Sequence, residues 1–551
     1  MILQIPDGMT KFTAMLHRFD GGMKRRDDSV DLGPMEYSIA RNLRTRNGTA
    51  EPVLKPVVQA NPVDSDLLQG IYGFGNYLIA FFDGKAYYRD VSTSDSFTKI
   101  ADFQMNPSAE DIFAELVPQG SKNYKRLLVD NTKIEGSVNL SGTILPSPAA
   151  MVCQDGSNQP WIVLNDATAR VTQTLGQWDG NDDEKREYVP VGLQMAYIDG
   201  ILFILAPSKR EIYRSVRNRP LDFAVNIDST GLIPGNANTT SHAVDSEEVT
   251  ALNKLNTTPG SLFTSSKKQC YATNYTYDRT VFGEPTFIDA PIMSTGPLNN
   301  FSLAEINGSY AFSDTSGLRS FNAVSQAKWE GQNAPFSKDI SPIFVGINQT
   351  ITASVNFDDY AIFAVNSVYG QVLILNDNLT GKFVGLDVYP EISGFIKQFA
   401  VVKTSTLERR IFCRTSNNEI WELFAGAVSE AGLYLGDFAS GISGIQCRPE
   451  SLYLLFKDCA GVGNVTILPF VDGKTFPVMT RQNTVVQTLP TPPYAFPFGQ
   501  QATRSVSPLL FQLDALPKGN QYGFWLTWQF QGSLYSANTW AGKMTSENPK
   551  T

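Results

Sequence analysis

Tyr77-Leu-Ile-Ala-Phe-Phe82, Asp83-Gly84-Lys85 and Ala86-Tyr87-Tyr88 form an apolar run, a tight turn and a second apolar run. Short apolar runs joined by Asp-Gly or Asn-Gly are the strongest local signal of a β-hairpin. The phrase recurs. Met195-Ala-Tyr-Ile198 and Ile201-Leu-Phe-Ile-Leu205 flank Asp199-Gly200, and Ala304-Glu-Ile306 and Ser309-Tyr-Ala-Phe312 flank Asn307-Gly308. Weaker copies lie at 125–131, 161–166, 262–271, 360–377 and 410–421. One turn residue from each unit falls at 83, 131, 165, 199, 266, 307, 376 and 417. The intervals are 48, 34, 34, 67, 41, 69 and 41, a spacing near the ~40–50 residues of a four-stranded propeller blade. The two longest, 199 to 266 and 307 to 376, are expected to hold two short units each. The fold expected is mainly β: a β-propeller-like array of antiparallel blades with an N-terminal arm and a C-terminal β appendage. A β-sandwich array is the rival on periodicity alone.

Composition agrees with that class. The 551 residues are 42% hydrophobic and 18% charged, which fits folded domains and not wholesale disorder. Phe (34), Tyr (21), Gly (43) and Pro (31) are plentiful, as aromatic strands joined by many turns require. The length suits an arm at 1–65, a propeller at 66–435 and a β-rich appendage at 436–551. Residues 108–116 are the best helix candidate, with Ser108 as N-cap. Phe524-Trp-Leu-Thr-Trp-Gln-Phe530 reads as an aromatic strand, either a sandwich core or a contact with a neighbouring subunit.

The net charge is −9, so no general basic face of the kind duplex-DNA binders carry is expected. Residues 440–551 hold 8 Lys+Arg against 5 Asp+Glu, +3, which leaves −12 for residues 1–439. Five cysteines without a CxxC argue against a disulfide framework or a zinc site and for free thiols in a reducing cytosol. No leader peptide is expected at the N-terminus, and no apolar run reaches the ~20 residues of a membrane-spanning helix.

Chemistry is sparse. The two histidines, His17 and His242, lie apart from any nucleophile motif, and no GxSxG, HExxH, Walker loop or GxGxxG after a strand occurs. Tyr72-Gly73-Phe74-Gly75 reads as a turn. Asp179-Gly-Asn-Asp182-Asp183-Glu184 has calcium-like oxygen chemistry but lacks the twelfth-position Glu, so a solvated loop is the better reading. Ser313-Asp314-Thr315-Ser316-Gly317 is out of register with a sialidase Asp-box turn. No catalytic residue, cofactor or metal is expected, and a glycoside-acting propeller is the minor alternative.

Residues 1–65 differ in texture. In an extended strand, Arg44 and Arg46 share one face and Leu43 and Thr45 the other, with Asn47-Gly48 closing a turn. This segment either clamps a neighbouring subunit or completes a sheet of its own chain. On the first reading Arg25, Arg26, Arg41, Arg44 and Arg46 are the candidate subunit contacts.

The order of these phrases resembles the β-propeller tail proteins of short-tailed bacteriophages, the nozzle, hub or packaged-DNA stabilisation family. Gly21-Gly22-Met23 with Asp27-Asp28, then Ala40-Arg41-Asn42-Leu43-Arg44-Thr45-Arg46-Asn47-Gly48, carries the likeness at the N-terminus. Leu68-Gln-Gly-Ile-Tyr-Gly73, Arg210-Glu-Ile-Tyr-Arg-Ser215 before Arg219-Pro220-Leu221-Asp222-Phe223, Val249-Thr-Ala-Leu-Asn253 and Ile306-Asn-Gly-Ser-Tyr-Ala-Phe-Ser313 continue it over roughly residues 15–425. The resemblance implies a virion tail protein made in the host cytoplasm. It implies a ring of identical copies, a hexamer in the family, that contacts tail adaptor proteins and fibres or a plug protein. Six copies at −9 carry −54, and an acidic channel would let genomic DNA slide without sequence-specific binding. An adhesion protein that binds a receptor or glycan is the alternative.

Overall fold

The computed structural model describes residues 12–541 except 17–18, 26–31, 33–35, 47, 63–65, 101–102, 119–133, 140–148, 164–166, 172–188, 219, 222, 224–226, 229–230, 233–237, 242–246, 256–260, 275–293, 307–308, 315–316, 322–335, 341–350, 368–369, 440–448, 484–486, 490–503 and 514. The protein is mainly β, and its centre is a β-propeller. Seven antiparallel blades follow one another along the described chain. Their first strands are Leu68–Phe74, Phe113–Pro118, Met195–Ile198, Ala251–Leu255, Ala304–Ile306, Ile351–Phe357 and Ile396–Lys403. Blade 2 carries a fifth strand, Ile134–Asn139, which follows its first strand in sequence but pairs at the outer edge of the sheet with Ala167–Val171.

The quoted hairpin is the centre of blade 1. Tyr77–Phe82 pairs with Lys85–Asp90, with Phe82 opposite Lys85. Asp83 and Gly84 both take positive φ, 50° and 75°, as a two-residue primed turn requires. Positions 131 and 165 both fall within the span of blade 2, and the two long intervals hold one blade-to-blade step each. The expected doubling there is corrected: among the described residues each of these intervals runs from one blade to the next.

Seven apolar clusters seal the seven interfaces of a closed ring. Phe81 packs with Trp161 between blades 1 and 2, and Val152 with Leu202 between blades 2 and 3. Phe203 meets Leu262, Phe263 meets Phe312, and Leu318 meets Phe363 at the next three. Leu375 packs with Ile411 between blades 6 and 7, and Phe82 packs with Phe412 between blades 7 and 1. Successive strand residues point to opposite faces, so Leu78, Ala80 and Phe82 serve one interface while Ile79 and Phe81 serve the other. That is why these strands read as unbroken apolar runs. Each fully buried large side chain stabilises by roughly 1.5–3 kcal/mol.

Blade 7 takes its outermost strand from the other end of the chain. Val57–Gln59 pairs antiparallel with Ile420–Leu423, placing Val58 opposite Trp421. Gly73 lets the first strand of blade 1 pass close to blade 7, because a Cβ there would overlap the Val401 carbonyl oxygen.

Residues 36–52 and 431–541 build a second β body. One sheet contains Leu43–Arg46, Thr49–Pro52, Pro449–Ala460, Arg504–Gln512 and Gln531–Ala541, with Phe12–Leu16 also pairing to the last of these. The other is continuous with blade 6. Phe383–Tyr389 of that blade pairs with Ile39–Arg41, then come Ala431–Ala439, Gln521–Trp528 and Asn464–Val471, in a sheet of ten strands. Leu454, Phe456, Ile467, Leu526 and Trp528 fill the space between the two sheets. The divisions expected at residues 65 and 435 are therefore crossed by strand pairing at 57–59, 39–41 and 431–439. Phe524, Leu526, Trp528 and Phe530 are buried, so the aromatic block is a sandwich core.

Residues 108–116 are not a helix. Ile112 and Ala114 are buried, and Phe113–Pro118 is the first strand of blade 2, paired with Ala149–Gln154. Interblade burial at a period of two overrode the capping signal. The expected turn at 72–75 is also corrected: Tyr72 to Phe74 belong to a strand, and only Gly75-Asn76 turns the chain.

Candidate functional site

The arm is a strand set within its own chain, the second of the two readings its sequence allowed. Leu43–Arg46 pairs antiparallel with Thr49–Pro52, with Arg46 opposite Thr49, and Ala50 lies opposite Leu534. Arg44 donates from Nη1 and Nη2 to the two carboxylate oxygens of Asp387, at 2.9 and 2.6 Å. Its guanidinium also lies 4.7 Å from the Phe424 ring centroid and 5.7 Å from that of Tyr360. The Asp387 side chain is fully buried, and that of Arg44 keeps 15% exposure. The Asp387 charge and its hydrogen bonds hold the Arg44 guanidinium protonated against the opposing effect of burial.

The other arm arginines have separate settings. Arg41 bonds Glu430 at 3.0 Å and lies 5.7 Å from the Trp525 ring centroid. Arg25 is exposed and donates to Ser38 Oγ at 3.0 Å. Arg46 ends the arm strand, its side chain outside the described residues, and Arg26 lies outside them entirely. Between Arg41 and Leu43, Asn42 takes φ +54°. It donates to the Glu430 carbonyl and accepts from the Val388 N–H, which ties blade 6 to the sandwich.

Buried glutamines join the blades, and sequence reasoning missed them. Gln154 donates to the Pro190 carbonyl and accepts from the Gly192 N–H, reaching from blade 2 to the approach of blade 3. Gln194 does the same with the Thr250 carbonyl and the Leu252 N–H at the entry to blade 4. Gln69 bonds the blade 1–2 connection at Asn106 and Ala109. Gln371 accepts from the Ile396 N–H at the entry to blade 7. Gln398 closes the set onto Ile71 of blade 1. An amide carries both a donor and an acceptor, so one side chain satisfies two backbone groups that the interface hides from water. The available signal was a Gln at the start of an apolar first strand, as in Leu68-Gln69, Leu193-Gln194 and Lys397-Gln398.

First strands line the propeller axis, and Glu115, Tyr197, Lys254 and Glu305 come from four consecutive ones. The Glu115 carboxylate accepts the Tyr197 N–H. Its enclosure pushes its pKa up to about 7, while the Lys254 charge and the Tyr197 bond pull it down. Tyr310 donates to the Lys254 carbonyl oxygen. On one face of the propeller, a cleft of about 790 Å³ collects Glu110, Asp111, Asp155, Glu247 and Glu248 with Lys209 and Lys267. Arg414, fully buried, ion-pairs with Asp111, and Lys397 with Glu110.

Among the described residues, no group of three or more His, Cys, Asp or Glu side chains is placed to hold a metal ion. No described helix is long and apolar enough to cross a membrane. Asp314 and Gly317 face each other across a two-residue hairpin of blade 5, at the stretch compared with an Asp-box. His17, His242 and residues 179–184 lie outside the described residues.

No family model matches the chain, and no curated protein matches it. Among solved structures, BBS1N in complex with ARL6DN, soaked with mercury, is 9% identical, with a TM-score of 0.37 over 67% of this chain and 97% of that one. The N-terminal domain of Nup159 is 10% identical, with a TM-score of 0.32 over 70% of this chain and 99% of that one.

Proposed function

We propose that this chain is a bacteriophage tail structural protein, a nozzle or hub. Copies of it form a ring around the DNA exit channel that retains the genome and then passes it. The observation that carries this reading is the ten-stranded sheet shared by blade 6 and the second β body, locked by the Arg44–Asp387 pair. Such a joint makes two domains one stiff unit, as suits a component that transmits force between a tail adaptor and the fibres or plug. The net charge of −9 per copy supports the same role, since acidic walls do not hold DNA phosphates. Light scattering on the purified protein and electron microscopy of tail particles test the reading. A closed ring with an axial channel at the tail tip supports it, and a concentration-independent monomer absent from particles rejects it.

The polar cleft of about 790 Å³ favours a second reading, an adhesion propeller that binds a receptor or glycan. Specific glycan binding by a monomer, lost on substitution of Glu247 and Lys267, would select it.

A further inference from the structure

Two exposed apolar surfaces lie on different bodies of the chain. The first is a groove of about 800 Å³ beside the free edge of blade 7. Leu54, Val57 and Val58 stand 38%, 38% and 54% exposed there, next to Phe424, and the charged lining is four carboxylates, Asp358 and Glu408 among them, against Arg409 and Arg410. Among the described residues, strand Val57–Gln59 pairs on one side, with Ile420–Leu423, and stands at the edge of the blade 7 sheet, where a further strand could add. The second is the outer face of the C-terminal sheet. Tyr453 lies opposite Leu510 and Leu455 opposite Pro508, with Tyr535 on the neighbouring strand. The Lys457 ammonium sits over the Tyr535 ring, 3.0 Å from its centroid.

Charge says what covers the groove. Residues 57–430 carry 28 Lys+Arg and 41 Asp+Glu, or −13. Residues 1–56 and 431–551 together carry 17 and 13, or +4. The propeller of one copy therefore attracts the sandwich of another and repels another propeller. We propose that the groove at residues 54–58 receives the outer sheet face around Leu510 of a second copy. The two patches differ, so the contact is head-to-tail, and repeating it closes a ring or grows a filament. The inference rests on the ring reading above and names the surfaces that make the ring.

The test is the solution mass, by light scattering, of the full chain and its variants, with melting temperature as a folding control. Val58→Arg and Leu510→Arg are each expected to weaken association at least tenfold. Asp358→Lys with Glu408→Lys, and separately Lys457→Glu, should weaken it as well. All three charge changes together should restore it, a rescue that misfolded variants cannot produce. A wild-type ring whose mass is unchanged in Val58→Arg and Leu510→Arg overturns this contact and leaves the ring reading intact. A wild-type monomer at every concentration overturns both.

Discussion

Gln398 bonds both backbone groups of Ile71, donating to its carbonyl at 2.7 Å and accepting from its N–H at 3.2 Å. The two residues are far apart in sequence, and between them the last blade meets the first. Gln398→Leu would leave both groups of Ile71 buried and unsatisfied, at a cost of about 2–4 kcal/mol. The denaturation midpoint measures this. An unchanged midpoint would show that the amide is dispensable to closure.

Arg44 and Asp387 form a largely buried pair in which the carboxylate has no exposure. Arg44→Met strands a buried carboxylate and should destabilise by ~3–5 kcal/mol, whereas the double replacement Arg44→Met with Asp387→Leu should recover much of the loss. A double-mutant cycle by denaturant unfolding checks it. Simple additivity of the two changes would mean the residues do not interact.

Glu115 has a pKa near 7 in the folded protein, above the ordinary carboxylate value. The unfolded chain therefore gives up this proton first as pH rises. Between about pH 4.5 and pH 7 the folded state holds more protons, so this group's contribution to stability falls with rising pH and levels off above pH 7. Glu115→Gln removes that decline, and the variant should melt above the wild type at pH 8 while matching it at pH 4.5. Parallel melting curves across the range would refute the assignment.

Cys153, Cys270, Cys413 and Cys459 are buried, and burial pushes each thiol pKa up. Thiolate is the reactive form, so a native sample should label at no more than one cysteine in a rapid thiol assay. After denaturation all five should react. Fast labelling of several thiols in the native sample would contradict the interblade packing of Cys153, Cys270 and Cys413.

Local pattern determined much of this protein. Asp83-Gly84 and Asp199-Gly200 demand positive φ at two consecutive positions, and only a primed hairpin turn between paired strands meets that demand. Apolar runs such as 78–82 imply strands covered on both faces, and recurring hairpins imply blades. Tertiary structure alone decided the rest. The seven blades of the described chain close into a ring through Trp421 meeting Val58 and Gln398 meeting Ile71. No periodicity records such pairings, because they join residues that become neighbours only when the whole ring is built. Arg44 illustrates the same limit. Its alternation placed it on a strand face, but the buried carboxylate that receives it comes from blade 6, far along the chain. At 108–116 a local cap predicted a helix, and two neighbouring blades made it a strand by burying Ile112 and Ala114. Short-range sterics wrote the hairpins into the sequence, whereas burial between distant segments chose their number, their closure and their joint with the second body.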